Sequence, residues 1–136
     1  MSQQNVELAA SWYEAATSKE ELLQAMPKTM ALCDPEVEWT APEDGSIYRG
    51  REGVRRRLEE WLESFDCFRY DVQSVIECGG DQVLVEAIEV GRGAVSGVEA
   101  RSTNYQLLTI RHGMITRIRE FYDRDNALRA AVGSRD

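Results

Sequence analysis

Cofactor-free chemistry needs a proton carrier, a nucleophile or a set of metal ligands, and this chain offers few of each. His112 is the only histidine. It precedes Gly113 between two strand-like runs, where a two-residue turn asks for positive φ. It reads as an exposed turn residue, and no second imidazole exists for an acid–base dyad. Ser96 has no nucleophile-elbow pattern and no histidine to activate it, which argues against serine hydrolysis. Cys33, Cys67 and Cys78 lack C-x-x-C spacing and read as reduced, mostly buried thiols rather than zinc ligands or a disulfide framework. Gly91-Arg92-Gly93 lacks the strand-to-helix context of a phosphate loop. No metal and no cofactor is expected.

Carboxylates remain. In the run Met114–Tyr122, Ile118, Glu120 and Tyr122 share one face, while Arg117, Arg119 and Phe121 share the other. A carboxylate held among apolar neighbours is desolvated and suited to proton transfer. The competing reading is a purely structural carboxylate, neutralised by a buried arginine or amide. Glu86 and Glu89 fall on opposite faces of the run Gln82–Arg92. Val83-Leu84-Val85 is apolar on both faces, so the register stays open. Gln106 is in phase with Leu108 and Ile110, and Asn104 lies on the same face; an amide in an apolar wall can orient a carbonyl or hydroxyl. Trp12, Trp39 and Trp61 bury large areas, for which core packing is the ordinary use.

These residues need elements to position them. A first helix is expected over about 5–16, with Leu8, Trp12 and Ala15 on one stripe. Ser18-Lys19-Glu20-Glu21 has capping-box spacing and starts a second helix, which Pro27 breaks or restarts. Asp34-Pro35 ends that region, and Val37–Ala41 alternates as a strand before the loop 42–46. A third helix spans Gly50–Ser64, with Val54, Leu58, Trp61, Leu62 and Phe65 on one face. Four strand-like runs follow: Phe68–Glu77, Gln82–Arg92, Val98–Ile110 and Met114–Tyr122. Short glycine-containing breaks between them indicate an antiparallel meander. Asp123–Ala131 is a short final helix. The class is α+β, with helices on a curved, mostly antiparallel sheet whose concave side leaves a hollow for a ligand.

The 136 residues fit one domain, 1–136. The net charge of −8 argues against nucleic acid as a partner. Arg55-Arg56-Arg57, followed by Glu59, Glu60 and Glu63, reads as a solvated helix face with spaced ion pairs. The N-terminus carries neither a basic start nor an apolar stretch, so no membrane association and a cytoplasmic location are expected.

Several tracts carry a family resemblance. They are Gly91-Arg92-Gly93, Ser96-Gly97-Val98-Glu99, Gln106–Ile115 and Phe121–Leu128. To these add Trp12-Tyr13-Glu14-Ala15, Asp34–Trp39 and Tyr48–Val54. Together they resemble the SnoaL-like branch of the nuclear transport factor 2 (NTF2-like) superfamily, related to ketosteroid isomerase. The resemblance implies a cone of three N-terminal helices on a strongly curved sheet with a short C-terminal helix. It implies a pocket for a small hydrophobic molecule, with the Ile118–Glu120–Tyr122 face turned inward. The fold hosts isomerases, cyclases, dehydratases, epoxide hydrolases and non-catalytic binders.

The isomerase set is not kept. Its base falls at Trp39, its tyrosine near Trp12 and its acidic oxyanion donor near Gln106. Of the epoxide hydrolase set, the carboxylates fall near Glu89 and at Glu120, while the arginine falls near Ala87. The implied site is therefore Glu120 as acid or base. Trp12, Trp39, Trp61, Glu89, Asn104, Gln106, Leu108, Ile118 and Tyr122 would surround a flat apolar ligand. The alternative is a non-catalytic binding or dimerisation module. A homodimer is expected through the outer sheet face, including Leu107, Thr109, Arg117, Arg119 and Phe121.

Overall fold

The computed structural model describes residues 2–14, 16–42 and 45–133; Ala15, Glu43 and Asp44, invoked above, lie outside them. The chain begins with α1 (Ser2–Tyr13), α2 (Lys19–Gln24) and α3 (Met26–Met30). Next come β1 (Cys33–Thr40), β2 (Ile47–Arg49) and α4 (Gly50–Glu63). It ends with β3 (Phe65–Glu77), β4 (Gln82–Gly93), β5 (Glu99–Arg111), β6 (Met114–Phe121) and α5 (Arg124–Gly133).

The local signals act as their chemistry dictates. The Ser18 hydroxyl accepts from the Glu21 amide at 3.1 Å and starts α2. Pro27 sits in the first turn of α3, where its missing N–H costs nothing. His112 and Gly113 both take positive φ, 55° and 75°, in the turn joining β5 to β6. β2 has only three residues, too few for alternation to show, and sequence reading passed it over.

The strands form one sheet in the order β2-β1-β6-β5-β4-β3. β1 runs parallel to β6 and the other neighbours are antiparallel. Register shifts in β3, between Val72 and Ser74, and in β6, where Thr116 is the extra residue opposite Thr109 and Ile110 of β5, supply bulges that bend the sheet. Its inner face carries Val83, Val85, Leu108, Ile110, Ile115 and Ile118. These pack with Ala9, Trp12 and Tyr13 of α1, Met26 and Met30 of α3, and Val54 of α4. The result is an α+β architecture, helices on a curved and mostly antiparallel sheet, as the resemblance implies.

α5 lies against the opposite face, where Ala127 and Ala131 pack on Leu84 and Leu107, flanked by Tyr105 and Phe121. Leu107 is fully buried there, so it is covered by its own chain and unavailable to a second copy. The terminal helix takes part of the face that sequence reading assigned to dimer contact.

One close approach is set by a missing side chain. A Cβ on Gly91 would lie 2.6 Å from Cδ1 of Phe65 across the β3–β4 pair. Phe65 is also held by Trp61 and Phe68, with ring centroids 5.2 and 5.5 Å away. Gly91→Ala is expected to lower stability by about 1–3 kcal/mol through overpacking. A urea unfolding midpoint checks this, and Phe65→Leu in the same chain should recover part of the loss.

Candidate active site

Glu120 is the point on which the inner-face polar groups converge. It lies on β6 opposite Gln106 of β5, in register, and its side chain is only 7% exposed. One carboxylate oxygen, Oε1, accepts from Trp39 Nε1 at 2.6 Å and from Arg57 Nη2 at 3.2 Å. Oε2 accepts from Asn104 Nδ2 and Gln106 Nε2, both at 3.3 Å. The four donors come from β1, α4 and β5, so the carboxylate ties helix to sheet. A carboxylate has about four lone-pair positions, and here each oxygen receives two donors.

A second tier extends the network. The Tyr13 hydroxyl donates to Gln106 Oε1, which fixes that amide with its NH2 toward Glu120. Gln106 Nε2 also reaches the Tyr70 hydroxyl at 3.4 Å. Tyr70 lies 3.2 Å from Glu89 Oε1 and 3.4 Å from Asn104 Oδ1, and its single proton can serve one of them at a time. Burial, first, and the Glu120 charge, second, raise the Tyr13 hydroxyl well above the ordinary tyrosine range. Burial does the same to Tyr70, with the Glu89 and Glu120 charges adding to it. Both phenols are therefore neutral donors at physiological pH.

A hollow of about 20 Å³ opens beside the carboxylate. Leu22, Trp39, Arg57, Leu58, Trp61, Phe68, Tyr70 and Glu120 line it. It holds roughly one water molecule, against roughly 300–1,000 Å³ for a site enclosing a drug-sized ligand. Arg57 closes its rim. The guanidinium carbon lies 5.5 Å from the ring centres of both Tyr48 and Trp61, and the side chain is 14% exposed.

The sequence-derived residues thus divide. Trp39, Trp61 and Glu120 line the hollow, and Asn104 and Gln106 hold Glu120 from behind. Glu89 faces inward, paired with Tyr70 across β3 and β4, which resolves the open choice against Glu86. Trp12 stands behind Trp39, ring centres 6.3 Å apart, within the core. Leu108 and Ile118 are fully buried packing residues away from the hollow. Tyr122 is 60% exposed. β6 ends at Phe121, so strand alternation does not reach it, and it borders an outer groove with Thr40 and Pro42.

Sequence reading missed two contributors, Arg57 and Tyr70, and ranked Tyr13 behind the tryptophans. Arg57 was placed on a solvated face, yet only Arg55 and Arg56 of that triplet are exposed. Its signal was available: Arg57 follows Val54 by three residues and precedes Trp61 by four, which sets it on the apolar side of α4. Tyr70 alternates with Phe68 on β3, and Tyr13 sits one residue past the tryptophan taken as its equivalent. Among the described residues no three His, Cys, Asp or Glu side chains gather as a metal site. No helix among them is long and apolar enough to cross a membrane.

Comparison with known proteins agrees with this architecture. The sequence profile of the SnoaL-like domain matches residues 10–118, and the chain belongs to that family. No curated protein matches the sequence. Among solved structures, TerC co-crystallised with polyporic acid is 21% identical, with 96% of this chain and 98% of that one covered and a TM-score of 0.74. An NTF2-like protein of Burkholderia pseudomallei is 19% identical over 93% and 95% of the two chains, with a TM-score of 0.75. A protein of Catenulispora acidiphila with a ketosteroid isomerase-like fold, in complex with trimethylamine, is 17% identical. It covers 93% of this chain and 92% of its own, with a TM-score of 0.73. At these identities the likeness shows the fold.

Proposed function

We propose that the chain binds a small hydrophobic molecule beneath α4, and that Glu120 meets the polar group of that molecule as a charged acceptor or counter-ion. The observation that carries this reading is a carboxylate 7% exposed at the inner end of a hollow walled by aromatic and aliphatic side chains. A buried charge is costly and persists only where it is paired or has work to do. The space beside it is small, so the ligand gains access by displacing Arg57 and the Trp61 ring. Those side chains belong to one helix face, and Arg57 reaches solvent within its own length.

A second reading has one observation behind it. Both oxygens of Glu120 are already doubly occupied, which suits a carboxylate that organises a binding site without turning a substrate over. Under either reading the parts of the outer sheet face that α5 leaves open, including the exposed Arg117, would carry a homodimer contact. Sedimentation at micromolar concentration reads the mass.

The test uses 2-naphthol and naphthalene, followed by the indole N–H resonances of Trp39 and Trp61. Both probes should shift them. Glu120→Gln should weaken 2-naphthol about tenfold, the loss of one charge-assisted hydrogen bond, and leave naphthalene unchanged. If neither probe moves either indole at its solubility limit, the hollow takes no neutral aromatic ligand and the hydrophobic-molecule reading falls.

A further inference from the structure

We infer that the polar group taken up beside Glu120 is an organic cation, a tertiary or quaternary ammonium, which occupies the place now held by the Arg57 guanidinium. This rests on the reading above that the hollow is a ligand site, and it names the class of ligand.

The site already holds a cation. The Arg57 guanidinium pairs with Glu120 at 3.2 Å and lies 5.5 Å from the ring centres of Tyr48 and Trp61. Trp39, Phe68 and Tyr70 continue the aromatic wall around the same hollow. Aromatic faces around a buried carboxylate form the environment that stabilises a desolvated positive charge. A neutral ligand that pushed Arg57 aside would leave the carboxylate without its positive partner, and breaking a buried pair that way is costly. An anionic ligand would meet Glu120 directly. A cationic ligand exchanges like for like: the carboxylate keeps a positive neighbour and the rings keep a cation. Arg57 then turns outward toward the exposed Arg56 and Glu60 on the same helix.

The hydrogen-bond count favours a head group with few or no N–H donors. With Arg57 gone, Glu120 still accepts from Trp39, Asn104 and Gln106. What the carboxylate then lacks is charge rather than a donor, and N-methyl groups supply charge spread over a surface that packs against rings. The net charge of −8 raises the local concentration of cations around the molecule.

Choline and 3,3-dimethylbutan-1-ol have the same shape and differ by a positive nitrogen in place of carbon. Both are titrated into the wild-type chain and into Arg57→Met, which keeps an aliphatic stem on α4, with the Trp39 and Trp61 indole resonances as readout. Choline should bind Arg57→Met about tenfold tighter than wild type, because the competing internal cation is gone, and about tenfold tighter than the neutral alcohol. Adding Glu120→Gln should remove most of that preference. If the neutral alcohol binds as well as choline, the hollow stands as a ligand site and the cation assignment falls. If choline is preferred but Arg57→Met gains nothing, replacement of the guanidinium is wrong. If neither probe moves the indoles, both readings fall. Should Arg57→Met fail to fold, the choline-to-alcohol ratio in the wild-type chain decides alone.

Discussion

Glu120→Leu is expected to lower the free energy of unfolding by about 3 kcal/mol, and Arg57→Leu by about half as much. The asymmetry follows from who is left unpaired. Removing the carboxylate strands Trp39 Nε1 and Asn104 Nδ2 in the interior, while Gln106 Nε2 keeps its contact with Tyr70. Asn104 is 2% exposed and Trp39 4%, so water does not replace the lost acceptor. Arg57 can turn its head group to solvent and loses less. Removing Arg57 leaves the carboxylate three donors from β1 and β5. Glu120→Gln falls between the two for a geometric reason. Whichever way its amide is turned, its NH2 faces donors, either the NH2 groups of Asn104 and Gln106 or Trp39 Nε1 and Arg57 Nη2. Turning Gln106 over to relieve the first clash would break its bond from the Tyr13 hydroxyl. Urea unfolding of the three variants gives the order. Equal losses for Glu120→Leu and Arg57→Leu would mean that the ion pair, and not the donor cluster, holds the carboxylate.

The residues that could be read in advance were those whose position follows from local periodicity. Ile118 and Glu120 share a face because a strand alternates, and β6 obeys that rule from Arg117, past the register shift at Thr116, to its end at Phe121. Val54, Leu58, Trp61 and Leu62 recur at helical spacing, and α4 spans Gly50–Glu63 accordingly. The triplet Arg55-Arg56-Arg57 shows where composition misleads. Three identical side chains differ only in the direction they leave the helix, and that direction, not charge, decides which one is buried.

Tyr122 fails for the opposite reason. Alternation was carried one residue past the end of the strand, and its ring lies outside. The α5 contact with Leu84 and Leu107 was hidden because a terminal helix can dock on either face of a sheet. Ala127 and Ala131, one turn apart, permit close approach without naming the surface approached. Glu89 needed the pairing register. Only the match of Tyr70 to Glu89 across β3 and β4 places it inside.

Stability should decline from about pH 9 and decline more steeply above about pH 10, through three groups that the fold keeps protonated. Burial pushes the Cys33 thiol up to about 12, with Arg51 opposing and Asp34 reinforcing the shift. Tyr13 and Tyr70 are raised well above their ordinary range by burial, then by the neighbouring carboxylates. A folded-state pKa above the unfolded one means that the native chain binds more protons in the window between them. The slope of stability against pH is therefore negative there. The contribution is complete below the unfolded pKa and lost as pH rises toward the folded one. Each such group costs about 1.4 kcal/mol per pH unit across its window, so Cys33 alone loses about 3 kcal/mol between pH 9 and pH 11, and the two tyrosines steepen the decline above about pH 10. Ordinary alkaline loss of ion pairs contributes little, because Lys19 and Lys28 are the only lysines and the other cations are arginines. Urea unfolding at fixed pH steps separates the groups. Cys33→Ala should remove the decline between about pH 9 and 10, and Tyr70→Phe should halve the additional slope above it. A wild-type stability that is flat to pH 11 would mean that these hydroxyls and the thiol reach solvent. The Tyr13–Gln106–Glu120 chain of contacts would then not be the closed interior network that places the carboxylate at the hollow.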